Sequence, residues 1–452
     1  MPRRRRVAPP CLSVRALSAA STESALPPSA GRFLTFAPVH NSLPLAVPPA
    51  APRLDFLDGL RGFAALVVII HHYSAAFYPT TMTGNPATAH LPGHWEAWFA
   101  GSAVHVLLNV RVSFFFVLSG LVLAASTALV PPGWRALLPQ LLRRYLRLGV
   151  PVAVGAGLAY ALFATHSYYN QAAATASGAA WFGSFWHVAP TAAQAGWAAL
   201  AGIMTQGQAD LNPVLWTMVV EWQGSLLVLG TLAVAGGQPW RLALYAALAL
   251  ALALGFLLTK IDFYYVGFVL GLGLFDVHQR GWAARLPARA RRWLVAGLLL
   301  LAFATISHPQ EYYGGPLSPP YTRMYLPGVG AGRTVQVYHT LGSVALLAAV
   351  LLSARLRRLT TAVLLRRVGK RAFTLYLLHF LLLGSGSAWL FGRLLGQFTY
   401  HASVGLMALA SALVLGGATE IFYRAVDVPS HALARWAGRA LAARLARPAP
   451  AG

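Results

Sequence analysis

From Gly59 onward the chain alternates between long apolar runs and polar or Pro/Gly-rich joints. A helix crosses a bilayer with about 17–25 predominantly apolar residues. Ten runs approach or reach that length: 60–78, 105–128, 148–165, 214–235, 241–258, 262–277, 292–307, 336–353, 373–391 and 403–423. The pattern predicts an all-α, polytopic membrane helix bundle of about ten transmembrane helices within residues 53–435. Upstream, residues 1–52 are rich in Arg, Pro, Ala and Ser, open Met-Pro-Arg-Arg-Arg-Arg and hold one acid, Glu23. They read as a flexible basic tail. The other reading is an Arg-rich, acid-poor transit segment, although Pro breaks any amphipathic helix there. Residues 436–452 read as a second flexible basic tail.

Composition sharpens the picture. Of 452 residues, 57% are hydrophobic and only 10% charged, against about 25% charged in a soluble globular domain. Such a chain cannot cover itself with polar surface, which excludes a soluble enzyme. Aromatics at 12%, with 42 Gly and 29 Pro, also exclude a disordered polar protein. The single Cys, Cys11, excludes a disulfide framework and a multi-thiolate metal site. His90, His94 and His187 fall in joints without the spacing or carboxylates of a metal site, so no metal is expected.

The formal net charge of +24 depends for its meaning on where it sits. With the first tail inside and the sides alternating through ten helices, all 35 Lys and Arg fall in inner segments except Lys260, Arg323, Arg333, Arg393 and Arg111. The outer joints 79–104 and 166–213 contain no Lys or Arg at all. Basic loops resist translocation, so this bias predicts both termini in the cytoplasm. The charge is therefore topology. It offers no basic face interleaved with stacking aromatics, and nucleic acid is not an expected partner.

Chemistry is expected where ionisable groups enter apolar runs, because a charge in lipid is costly unless paired or functional. The richest run is Arg53-Leu-Asp-Phe-Leu-Asp-Gly-Leu-Arg-Gly, continuing to His71-His72-Tyr73. Arg61 and His72 lie about three helical turns apart with only about 20° of rotation between them, and His71 falls about 80° off that stripe. The rise puts His72 roughly 16 Å deeper than Arg61. Asp58 stands three residues before Arg61, at pairing distance. By itself the stripe fits an interfacial Arg anchor with a hydrogen-bonded interior His, or a working pair.

Six motifs in order widen the view. Asp58-Gly-Leu-Arg-Gly followed by His72 resembles the first-helix signature of the acyltransferase-3 family of integral membrane acyltransferases, in particular its fungal branch. Phe114-Phe-Phe-Val-Leu-Ser-Gly120, Arg143-Arg-Tyr-Leu-Arg-Leu-Gly-Val-Pro151 and Asn212-Pro-Val-Leu-Trp-Thr-Met-Val-Val-Glu221 are similar to its second, third and "LW(T/S)…E" helices. Gly369-Lys-Arg-Ala-Phe-Thr-Leu-Tyr-Leu-Leu-His379 and Val426-Asp-Val-Pro-Ser430 resemble its two closing motifs. Arg111 departs from the small or acidic residue many members carry before the Phe run, and its role stays open.

The resemblance implies transfer of an acyl group, most often acetyl, from cytoplasmic acyl-CoA to a hydroxyl of a sugar, lipid or secondary-metabolite acceptor. Acyl-CoA is then a co-substrate and no resident cofactor is implied. The family's essential first-helix Arg and His carry over onto Arg61 and His72. Imidazole suits a base near neutrality, and a guanidinium grips phosphate bidentately. On that basis His72 is expected as general base and Arg61 as the donor's anchor. Arg144 and Arg147 are either helpers on the CoA phosphates or ordinary positive-inside anchors. Glu221, about 13 Å into its helix, is expected to orient His72, to pair with Arg111, or to stay protonated. Asp58, Trp216 and Tyr376 are carried as substrate-binding candidates. His379 is either a second site residue or a core histidine. Asp427 and Arg424 read as a local i,i+3 pair, and Glu420 as buried without a role. The aromatic joint 166–213, uncharged but for Asp210, is expected to shape acceptor entry. Buried charges alone also fit a proton-coupled solute transporter, but no self-similarity between the halves supports one.

Overall fold

The computed structural model describes residues 55–105, 109–110, 112–127, 132–309, 321 and 323–446. The tail 1–52, Arg111 and residues 447–452 lie outside them. Each of the ten apolar runs falls on a helix. In chain order these are α1 (Asp55–Phe77), α2 (Val112–Thr127), α3 (Trp134–Ala164), α4 (Trp216–Ala235) and α5 (Arg241–Leu258). They are followed by α6 (Tyr264–Gln279), α7 (Ala288–Ile306), α8 (Ala331–Leu352), a short amphipathic α9 (Val363–Lys370) and α10 (Ala372–Leu395). Helix α11 (Tyr400–Phe422) runs through a π-turn, Tyr423–Asp427, into α12 (Val428–Ala446). No strand occurs among the described residues.

By length and composition seven helical spans can cross a membrane: α1, α3, α4, α5, α8, α10 and the continuous α11–α12. Helices α2 and α6 have 16 residues each, and α7 opens on Arg289, Arg291 and Arg292. The short pair is held in the interior by close backbone approach. A Cβ at Gly120 of α2 would collide with the Phe268 carbonyl of α6, and one at Gly271 of α6 with the Val117 carbonyl of α2. Small residues let membrane helices pack this closely, which replaces the missing hydrophobic drive between helices in lipid. Helix α5 buries only Tyr245 and Phe256, while its Leu250, Leu254, Leu257 and Leu258 are exposed. Bare leucines on a membrane helix are a lipid face.

The glycines of the first motif do the same work on α1. A Cβ at Gly59 would meet the Thr360 carbonyl, one at Gly62 the Leu365 carbonyl, and one at Gly369 the Asp58 carbonyl. Helix α9 thus lies against the start of α1 almost backbone to backbone, and brings Lys370 beside Arg61 and Asp58.

Three boundaries differ from the sequence expectation. Helix α3 begins at Trp134, not near 148, because its first turns carry Arg135, Arg143 and Arg144 among good helix formers, which lowers hydropathy without breaking the helix. The joint 166–213 contains short helices, among them Asn170–Ser177 and Ala180–Gly183. Residues 436–446, assigned to the basic tail, continue α12, where Ala, Leu and Arg favour helix.

Candidate active site

A cavity of about 300 Å³ opens between α1, α2, α3, α4, α10 and the π-turn before α12. Its charged lining is Asp58, Arg61, Arg144, Arg147, Glu221, Lys370 and Asp427, with His431 beside them. Four of the sequence-predicted residues on three helices (Arg61, Arg144, Arg147 and Glu221) therefore share one chamber, joined by Asp58 and Tyr376.

Each is held by identifiable contacts. Arg61 Nη1 donates to Asp58 Oδ1 at 3.3 Å, one helical turn earlier. Glu221 forms its ion pair with Arg144, a partner not among those expected for it, and accepts a hydrogen bond from Ser119 Oγ at 2.7 Å. Arg144 Nε also donates to Ser225 Oγ at 3.0 Å. The Arg144 and Glu221 side chains are only 12% and 11% exposed. Arg144 is thus a largely buried cation, paired with Glu221. Ser119 and Gly120 end the Phe-rich motif with separate jobs, the serine bonding Glu221 and the glycine admitting α6.

Tyr376 forms one wall of the chamber. Its hydroxyl lies 2.7 Å from Thr217 Oγ1 and donates to the Val214 carbonyl. Asn212 caps the same turn through Val214 N and donates to the Leu377 carbonyl at 2.9 Å. The Asn-Pro-Val-Leu-Trp-Thr motif therefore locks the start of α4 to α10. Trp216, a substrate-binding candidate from the sequence, is 37% exposed and packs on Tyr264 at 5.9 Å between centroids, outside the cavity lining.

His72 stands on the same stripe of α1 as Arg61 but beyond the chamber. Its Nδ1 lies 2.8 Å from Nε2 of His379, and the two rings are 8° from parallel. Phe380 meets the His72 ring edge-on at 5.1 Å, and Trp181 stacks on it at 5.8 Å. Next to His379, helix α10 opens into a π-turn, Leu383–Ser387. The aromatic joint docks on that turn: Tyr169 N donates to the Gly384 carbonyl at 2.9 Å, and a Cβ at Gly384 would strike the Trp186 ring. Trp186 holds a φ of 58°, a left-handed conformation rare for a bulky side chain.

Two local readings are corrected. Asp427 pairs with His431 at 3.3 Å, and Arg424 pairs with Glu420 at 2.5 Å, not with Asp427. The π-turn Tyr423–Asp427 inserts an extra residue, so positions 424 and 427 lose the shared face of an α-helix. Glu420 is 34% exposed and bridges Arg424 and Arg371, the latter at 2.6 Å. Arg111 lies outside the described residues. Among the described residues no three His, Cys, Asp or Glu side chains gather as metal ligands.

The acyltransferase domain of the acyltransferase-3 family matches residues 54–419. The chain belongs to that family. No curated protein and no solved structure matches it. The matched region contains all of α1 to α10, and with them the chamber's Arg61, Arg144, Arg147, Glu221 and Lys370 and the His72–His379 pair. The chain is accordingly a membrane acyltransferase, and the transporter reading falls away. Sequence reasoning passed over Ser119, Ser225, Lys370 and His431, of which Ser225 holds Arg144 and the others line the acyltransferase's chamber. The first and third sit inside quoted motifs, where a serine one residue before a packing glycine and a lysine one residue after another were the available signals.

Proposed function

We propose that this acyltransferase moves an acyl group, acetyl in the simplest case, from cytoplasmic acyl-CoA to a hydroxyl of a sugar, lipid or secondary-metabolite acceptor. The observation that carries the proposal is the division of α1. Its Arg61 lies in a basic chamber with Arg144, Arg147 and Lys370, and its His72 lies three turns along, roughly 16 Å away by helical rise. A donor with phosphates at one end and a thioester at the other matches that division. Arg61, Arg147 and Lys370 hold the phosphates, with guanidinium forks suited to bidentate contact. Arg144, neutralised by Glu221, shapes the wall. The positive-inside count supports a chamber open to the cytoplasm.

The chemistry follows from placing the thioester beside His72. His72 takes the acceptor hydroxyl's proton as its oxygen attacks the thioester carbon. The new C–O bond forms, the carbonyl oxygen takes negative charge, and the C–S bond then breaks. The departing thiolate recovers the proton from the His72 imidazolium, which leaves free CoA, the acyl ester and a neutral ring. Trp181 and the aromatic joint face the acceptor. That joint has no Lys or Arg, which favours an acceptor without negative charge.

The test is acyl transfer in membranes carrying the protein, with labelled acetyl-CoA. His72→Ala is expected to lower incorporation by about 10²–10⁴-fold, the usual contribution of a positioned base. Arg61→Ala is expected to weaken acetyl-CoA binding. Incorporation that survives His72→Ala removes His72 as base.

A further inference from the structure

His379 is fully buried, and both of its ring nitrogens have partners. Its Nδ1 lies 2.9 Å from the Tyr376 carbonyl and 3.1 Å from the Leu375 carbonyl. A carbonyl oxygen only accepts, so Nδ1 of His379 must carry a proton. The protonation follows from the acceptor and needs no observed hydrogen. With the ring neutral, Nε2 is then a bare acceptor, and it faces His72 Nδ1 at 2.8 Å. An imidazolium at His379 would put a full charge in a side chain whose hydrogen-bond partners are two carbonyls and one ring nitrogen, within a membrane helix where charge is costly. The bond therefore runs from His72 Nδ1–H to His379 Nε2.

We propose that His379 is the positioning residue that fixes His72 as its Nδ1–H tautomer, leaving Nε2 of His72 as the nitrogen that takes the acceptor's proton. The inference rests on His72 being the base. Nδ1–H of His72 stays in place through the reaction: Nε2 gains the hydroxyl proton, the resulting imidazolium donates more strongly to His379, and Nε2 returns the proton to the leaving thiolate. His379 itself gains and loses nothing. A histidine whose second nitrogen is held by a fixed acceptor is a recurring way to set both tautomer and ring orientation. Here the acceptor is another ring, itself set by the helical carbonyls one turn earlier, so the π-turn that follows does not disturb it.

The experiment compares His72→Ala, His379→Leu, His379→Gln and His379→Asn in nanodiscs formed from the expressing membranes. Free CoA released from acetyl-CoA and label incorporated are read together with acetyl-CoA affinity measured separately. A glutamine amide oxygen reaches about where Nε2 of histidine stands and accepts from His72; an asparagine is too short. His379→Leu is expected to lose about tenfold or more of the rate at saturating acetyl-CoA, part of the 10²–10⁴-fold that the base supplies. Its acetyl-CoA affinity should stay unchanged, His379→Gln should recover most of the rate, and His379→Asn should not. If His379→Leu works at the wild-type rate while His72→Ala is inactive, the positioning role fails and the base survives. If His72→Ala retains the rate, the base itself is wrong. If His379→Leu does not fold, the Gln and Asn variants decide, and equal rates for the two overturn the proposal.

Discussion

Removing the charge of Glu221 should be far more damaging than removing both members of its ion pair. Arg144 and Glu221 are 12% and 11% exposed, and Ser119 and Ser225 complete their hydrogen bonds. At an effective dielectric of about 20, two unit charges about 4 Å apart attract by about 4 kcal/mol. Desolvating both ions offsets much of this, so the pair adds little net stability, whereas deleting one partner strands a buried charge at a cost of about 3–5 kcal/mol. Glu221→Gln keeps the shape and leaves Arg144 unpaired, so it should lose about 3 kcal/mol or more. The double variant Arg144→Met/Glu221→Leu should fall within about 1 kcal/mol of wild type, since apolar replacement of a whole buried pair is often neutral. The assay is reversible unfolding in mixed detergent micelles, run as a complete double-mutant cycle. Coupling below about 0.5 kcal/mol, or a double variant weaker than both singles, would refute a buried charged pair here.

Three further outcomes are expected. Gly59→Ala and Gly369→Ala each drive a Cβ into a backbone carbonyl of the neighbouring segment. They should cost at least about 1–3 kcal/mol by overpacking, whereas Gly417→Ala, with open space around it, should stabilise its helix by about 0.5–1 kcal/mol; melting in detergent reads all three. Arg61→Lys keeps the charge but loses the guanidinium fork, and should weaken acetyl-CoA binding by about tenfold in equilibrium dialysis. Trp216→Ala, outside the chamber lining and packed on Tyr264, should leave acetyl-CoA affinity unchanged in the same measurement.

The bundle was legible in the sequence because its signal is additive. Ten apolar runs each repeat one physical requirement, and each run lands on a helix. The Arg61–His72 stripe was legible for a similar reason, since helical rotation alone puts both groups on one side of α1. Pairings across helices were not. Nothing in the spacing of Arg144 and Glu221 says that they meet, because the meeting depends on how α3 packs on α4. The Arg424–Asp427 reading failed on a single inserted residue, a π-turn that no hydrophobic pattern betrays. Trp216 was drawn in by its place in a motif whose neighbours Asn212 and Thr217 do the docking.

The adjacent histidines show how narrow the geometry of α1 is. One step along a helix turns a side chain by about 100°. His71 is buried at 6% exposure, while His72 is half-buried and holds His379. Gly59 and Gly62 fix the rotation of the whole helix, since only a face without Cβ atoms can come so close to Thr360 and to α9. The same contact sets Arg61 in the chamber and, three turns on, His72 against His379. His71 therefore cannot replace His72: to bring it round, α1 would have to rotate its glycine seam away from α9 and carry Arg61 out of the chamber.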